Sequence, residues 1–459
     1  MASAAEQLAR NMSWASFAKA KDLHKRILFT LALLVVYRLG TFIPIPGIDI
    51  EAYQQAFSSQ ASGILGMFNM FSGGAVERLA IFALNVMPYI SASIIIQLLA
   101  AFPGRLEQLK KEGEQGRQQL NQYTRYLTVA LAVVQSYGIA IGLQGGEGIV
   151  TNPGVVFVAS TVITLTGGTM FLMWLGEQIT ARGIGNGVSL IIFAGIVAAM
   201  PGTLAAALRM VQTGGLAAWV LFALLAMFIA AIVLIVFIER SQRRVLVQYP
   251  KRQVGNQMFQ GNTSFLPLKI NISGVIPPIF ASSLLLLPAT IASFAGQTEV
   301  DESAPRWQQI TQTVLQDTSA ALQHGQPLFM TLYALFIIFF AFFYTSIVFN
   351  TEETADNLRK NGGFLPGVRP GAKTAEYLDK LMTRLTVIGA AYLTFVCVVP
   401  ELLIASLDVN FFLMVLGGTS LLIVVSVTID TVAQVQSHML AHQYEGLLKK
   451  SKLKGRDRR

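Results

Sequence analysis

The sequence predicts an all-α polytopic membrane protein, and four observations carry the prediction. Ten apolar runs of spanning length recur, at roughly 27–43, 79–101, 124–143, 155–176, 188–208, 217–238, 272–295, 327–349, 383–404 and 411–430. A bilayer core takes about 20 apolar residues of helix. Of the 459 residues 53% are hydrophobic and 13% charged, with a mean hydropathy of +0.55. The basic residues are one-sided: with the N-terminus cytosolic, 30 of the 34 Lys and Arg fall in segments on the cytosolic side. Only Arg38, Arg78, Arg209 and Arg306 fall elsewhere. This positive-inside pattern makes both termini cytoplasmic. Finally, a short apolar piece beside a full span marks an element that re-enters the membrane.

The chain divides in order. Residues 1–26 form a polar, basic cytosolic segment. The apolar run after them leads into Thr41-Phe42-Ile43-Pro44, which is no cleavage site, so a cleavable signal is not expected; a mitochondrial presequence is the alternative. Residues 27–210 hold the first five spans. Within them Ile64–Phe71 makes about two helical turns, too short to cross. Ser72-Gly73-Gly74 breaks it, and a full span is expected from Leu79 to Ala101. Bare backbone at that depth is tolerated only inside protein or beside water, which implies an enclosed water path. Residues 211–432 hold the second five spans, with basic cytosolic loops at 239–271 and 350–384. A basic cytosolic tail, 433–459, ends the chain. Five spans per half, an odd number, places the second half inverted relative to the first. Pro277-Pro278 is expected to distort the seventh span. No polar stretch is long enough to be a soluble domain.

Enzyme chemistry finds no footing, and the sequence implies no catalytic residue, cofactor or metal site. There is no H-E-x-x-H zinc motif. His438 and His442 lie four apart without a glutamate, as on a solvated helix face. Gly183-Ile184-Gly185-Asn186-Gly187 lacks a Gly-Lys-Ser/Thr ending and a preceding strand, so it reads as a tight turn entering a span. Gly418-Thr419-Ser420 is no nucleophile elbow. The single cysteine, Cys397, lies inside a span and reads as a small buried apolar residue.

A coupled small-solute secondary transporter is the rival class. Such proteins carry ionisable residues near the midplane. Here Arg38, Glu177, Glu239, Glu401 and Asp430 sit at span ends, which favours a passive conduit driven by a partner. Val86 and Ile90 share a helix face at a spacing of four, as do Val188 and Ile192. Bulky aliphatics seal a pore by dewetting; by spacing alone they read equally as packed or lipid-facing side chains.

Several long blocks are specific. Tyr37-Arg38-Leu39-Gly40-Thr41-Phe42-Ile43-Pro44-Ile45-Pro46-Gly47, FNMFSGGAVERLAIFALNVMPYISASIIIQLL, KKEGEQGRQQLNQYTRY, MFLMWLGEQITARGIGNG, NTEETADNLRKNGGFLPGVRPG and GGTSLLIVVSVTIDTVAQVQ resemble the SecY family over nearly the whole chain, in order.

The resemblance implies ten transmembrane helices in two inverted five-helix halves, a clamshell around an hourglass pore in the bacterial inner membrane. It implies a protein-conducting channel that translocates unfolded polypeptides and releases apolar segments sideways into lipid. The pore ring would be Val86, Ile90, Val188, Ile192, Ile279 and Ile423. The plug would span 64–78, with Ile64, Leu65, Phe68 and Phe71 as its apolar face and Gly73 and Gly74 as its hinge. Ser91, Gln97, Gln135, Asn271 and Ser282 would lie on a lateral gate between spans two and three and spans seven and eight. Arg243, Arg244, Lys251, Arg252 and Arg369 would dock the SecA motor ATPase and the ribosome, including rRNA phosphates. SecE and SecG subunits, signal sequences and nascent polypeptides, YidC, SecDF and membrane lipid complete the implied partners. One departure stands out: Val254-Gly255-Asn256-Gln257 replaces the Gly-Arg-Arg often found at that loop tip.

Overall fold

The computed structural model describes residues 21–60, 64–145, 148–215, 217–250, 252–254, 257–259, 263–295, 326–406 and 417–456. The helices are α1 (Lys21–Gly40), α2 (Ile50–Gln60), α3 (Ile64–Phe71), α4 (Met87–Leu99), α5 (Arg105–Lys111), α6 (Glu114–Gln144), α7 (Val155–Arg182), α8 (Gly187–Gln212) and α9 (Ala218–Arg240). After four short strands follow α10 (Ile276–Ala295), α11 (Pro327–Val348), α12 (Thr351–Lys360), α13 (Ala372–Ser406) and α14 (Gly418–Arg456). Among the described residues, seven segments, those of α6, α7, α8, α9, α11, α13 and α14, are long and apolar enough to cross a membrane. Helices α1, α4 and α10 stand at the other three expected spans; residues 411–416 of the tenth expected span, that of α14, lie outside the described residues.

The second span is corrected. It is not helical from Leu79: residues 79–86 run as turns, and α4 covers only 13 residues. Leu79 and Asn85 have left-handed φ of 42° and 50°, which a helix does not contain. Ala80 instead bridges Pro44, with Ile45 N–H donating to the Leu79 carbonyl at 3.0 Å and Ile81 N–H to Ile43 at 2.9 Å. Pro88, in the first turn of α4, starts the helix where a missing N–H costs nothing. The irregular stretch is buried within the protein, Leu79, Ala80, Phe82 and Val86 all being inaccessible, which is the condition for bare backbone at membrane depth.

Pro277 and Pro278 are corrected on the same ground. They lie in the first turn of α10, where a missing N–H costs no intrahelical bond.

Glycines set the close helix packing. A Cβ on Gly187, at the start of α8, would lie 1.9 Å from the Gly176 carbonyl of α7, so only glycine lets the two backbones meet. The 183–187 turn is tight as expected: Gly185 has a φ of 90°, and Asn186 caps α8 by accepting from the Val188 and Ser189 N–H groups at 3.1 and 3.4 Å. Outward faces are apolar: α9 exposes Trp219, Phe222 and Phe237, as a lipid-bathed helix does.

The expectation of pure helix misses two small sheets. β1 (Gln242–Gln248) pairs antiparallel with β4 (Thr263–Lys269), Val245 facing Leu266; β2 (Arg252–Val254) pairs with β3 (Gln257–Phe259). Both sheets lie in the loop after α9, where backbone in water is free to pair across a hairpin.

Candidate functional site

One large apolar cluster runs through the interior, and all six residues of the expected ring belong to it. Val86, Ile90, Ile192 and Ile423 are buried members; Val188 and Ile279 pack against it partly buried. They arrive from α4 and its N-cap, α8, α10 and α14. Met70 and Phe71 of α3 are in the same cluster, and α3 packs on α8 and α10. Aliphatic side chains offer water no hydrogen-bond partner, so a cluster built from them favours a dry interior.

The seat of α3 is well defined at its C-terminal end. Phe71 and Gly73 are buried, and Gly73 and Gly74 have left-handed φ of 66° and 87°, conformations suited to glycine. A Cβ on Gly73 would lie 3.0 Å from Gly195 Cα in α8. The side chains of Ile64, Leu65 and Phe68 lie outside the described residues. Around the seat, the Arg38 and Arg78 guanidinium groups both stack on the Phe42 ring, at 4.9 and 4.2 Å from its centroid.

The expected gate residues occupy one seam without bonding across it. Helix α10 packs on both α4 and α6, closing the seam. Gln97 donates to Ser93 at 3.0 Å within α4, and Ser282 to the Ile279 carbonyl at 3.0 Å within α10. Ser91 is buried on α4. The Gln135 Oε1 on α6 is buried without a partner. Asn271 turns away to Glu239, donating to its carboxylate at 2.7 Å, and also to the Gly274 carbonyl at 3.0 Å; Ser273 donates to the Asn271 Oδ1 at 3.0 Å. Apolar packing therefore closes the described seam. At one end of it a cavity of about 1120 Å³ opens between the 100–117 segment and α11, α12 and α13, lined by Glu107, Lys110, Arg117, Glu352, Glu353 and Asp379 among others.

Three of the expected docking residues, Arg243, Arg244 and Arg369, lie on one head built from both basic loops. Val245, Val247 and Leu268 of the first sheet share an apolar core with Leu365, Met382 and Leu385. Arg243 and Arg244 project from β1 and are exposed, as is Arg369 between Gly367 and Gly371. The Arg369 carbonyl accepts from Thr374 Oγ1 at 2.9 Å, which holds the turn. Arg252 lies in β2, its side chain outside the described residues, and Lys251 lies outside them altogether.

Sequence reasoning missed Asn85 and Gly195. Asn85 donates to the Phe71 carbonyl, and a Cβ on Gly195 would lie 2.5 Å from the same oxygen. The available signal was one asparagine inside an apolar run, three residues before a proline.

The helices, the irregular buried segments and the sealed aliphatic centre define a class: a multi-pass membrane channel protein closed by an internal element. A family model described as SecY matches residues 80–432. Two curated relatives are named "Protein translocase subunit SecY". That of Escherichia coli (strain K12) is 52% identical over 437 residues, covering 95% of this chain and 96% of the relative. That of Vibrio cholerae serotype O1 is 51% identical over 435 residues, covering 95% and 96%. Among solved structures, "The structure of a protein conducting channel" matches with a TM-score of 0.63 at 16% identity, covering 90% of this chain and 92% of that one. "Sec61 in the Canine ribosome-channel complex from the endoplasmic reticulum" matches with a TM-score of 0.57 at 16% identity, with the same coverage. The chain belongs to the SecY family.

Proposed function

We propose that this chain is the channel subunit of a protein translocase, moving unfolded polypeptides across a bacterial inner membrane and releasing apolar segments sideways into lipid. The observation that carries the reading is the convergence of Val86, Ile90, Val188, Ile192, Ile279 and Ile423 on one apolar cluster with Met70 and Phe71 of α3. In this reading the six are the pore ring of an hourglass, and 64–78 is the plug, hinged at Gly73-Gly74. The two five-helix halves close on each other as a clamshell of ten spans. Both termini and both basic loops face the cytoplasm, supported by the one-sided basic residues.

The lateral gate is the seam of α10 and α11 against α4 and α6. A seam held mainly by apolar packing suits a gate that an apolar signal sequence opens, since lipid and signal offer the gate helices equivalent contacts. The head with Arg243, Arg244, Arg252, Lys251 and Arg369 is the docking surface for a SecA-type motor and a ribosome, arginine suiting rRNA phosphates and acidic protein grooves alike. The fold neighbour from a ribosome–channel complex supports the ribosome as a partner. SecE- and SecG-type subunits, YidC and SecDF complete the assembly. The chain is a conduit, with energy supplied by its partners; the coupled-transporter reading has no support beside the family match.

The test is transport into vesicles holding the purified complex. An unfolded precursor with a signal sequence becomes protease-protected when a SecA-type motor and ATP are supplied. Protection equal to that of vesicles lacking this chain overturns the reading.

A further inference from the structure

Three consecutive carbonyls, at the end of α3 and just beyond it, are each taken by a side chain from elsewhere in the chain. A helix leaves its final carbonyls without intrahelical donors. Two are closed locally: Gly74 N–H donates to Asn69 at 2.8 Å and Gly73 N–H to Met70 at 3.1 Å, with Gly73 left-handed. The next three carbonyls are each taken by a side chain. Phe71 accepts from Asn85 Nδ2, Ser72 from the Tyr37 hydroxyl at 3.1 Å, and Gly73 from Arg38 Nη1. Tyr37 and Asn85 are 0% and 1% exposed, so water does not compete for their bonds. Asn85 keeps a φ of 50° to make its contact, a conformation unusual for a residue other than glycine.

Three residues that touch this end of α3 lie close in sequence to residues of the aliphatic constriction. Asn85 immediately precedes Val86. Gly195, pressed against the Phe71 carbonyl, is one turn from Ile192. Ser420, which donates to the Met70 sulfur at 3.3 Å, is one turn from Ile423.

We propose that Tyr37, Arg38 and Asn85 form a carbonyl latch that keeps α3 seated, and that widening of the constriction loosens it through Asn85, Gly195 and Ser420. The proposal rests on the reading of α3 as a movable plug. Its chemistry favours a two-state response. While the seat is dry, the buried Tyr37 and Asn85 donors have no water to turn to, and leaving the carbonyls is costly. Once a widening ring admits water, the same donors are satisfied by water, and the latch weakens when a chain enters.

The test reads plug position directly. Ser72 is buried at 1%; Ser72→Cys is placed in a Cys397→Ser background, and its reaction with an impermeant thiol reagent is timed from the extracytoplasmic side of assembled complex. Tyr37→Phe removes only the hydroxyl, and Asn85→Gly keeps the left-handed backbone while removing the amide. Each variant should speed labelling at rest by about two- to tenfold, the loss of one buried hydrogen bond, with the assembled complex recovered in normal amount. An engaged precursor should speed labelling of the parent without either change. Parent labelling that rises on engagement while both variants stay at the resting rate overturns the latch and leaves the plug reading standing. Parent labelling that never rises overturns both.

Discussion

Gln248 and Phe364 exchange two backbone hydrogen bonds of 2.9 Å each, joining the loop after α9 to the loop before α13. The two basic loops are thereby one body, with a shared apolar core beneath its arginines. A partner that pushes on Arg369 pushes on a braced head seated over α9 and α13, instead of on a loose loop.

Arg369 is exposed on that head, so Arg369→Glu should change stability by less than about 0.5 kcal/mol and leave assembly intact. Charge reversal should nevertheless repel an acidic groove or a phosphate. Motor-driven import into vesicles holding equal amounts of mutant and parent complex should collapse. Normal import would leave Arg369 as a topology charge only.

Gly187 makes the opposite case, a residue whose importance is packing. Gly187→Ala places a methyl 1.9 Å from the Gly176 carbonyl, backbone against backbone with no side chain to yield. Overpacking of this kind costs about 1–3 kcal/mol. Less complex should accumulate and its melting temperature should fall, while Gly202→Ala, which meets open space in the same helix, should change neither.

The ring supplies a third prediction. Ile90→Asn or Ile192→Asn puts a polar group in the dry closed state, at a cost of about 1–3 kcal/mol. That corresponds to about a 5- to 160-fold shift of the closed-to-open ratio. Resting ion conductance in planar bilayers should rise, and precursors with defective signals should cross more readily. Parent-like conductance together with parent-like signal stringency would remove these residues from the ring.

Orientation is checked by labelling. A cysteine at Arg369 should react with an impermeant reagent from the cytoplasmic side, and one at Gln212, exposed at the end of α8, from the other side. Labelling of position 369 from outside would invert the topology.

Much of this was legible in sequence, for physical reasons particular to each part. Long apolar runs show themselves because lipid tolerates little else. Helix ends are less visible: α6 begins at Glu114 and α14 continues to Arg456, because a helix leaving the bilayer proceeds in polar sequence. Residues 79–86 were misread because hydropathy registers apolarity and not backbone shape. Nothing in Leu79 or Ala80 announces a bridge to Pro44; Asn85 and Pro88 were the local hints. The ring was ambiguous by spacing, since Ile90 and Ile192 read as well for lipid as for a seal, and only the convergence of α4, α8, α10 and α14 brings its members together. Gln97 and Ser282 were placed on the seam by type, yet both bond within their own helices, a pairing that side-chain type alone does not reveal.

The central claim is that a polypeptide passes through the aliphatic cluster, and site-specific photocrosslinking tests it most directly. A precursor arrested midway through transport is probed with a photoreactive residue placed at Ile192, at Ile423, or at the outward-facing Phe237, which is 71% exposed. The account predicts adducts between the arrested chain and positions 192 and 423, with none from 237. Adducts from 237 alone, with positions 192 and 423 silent, would contradict it.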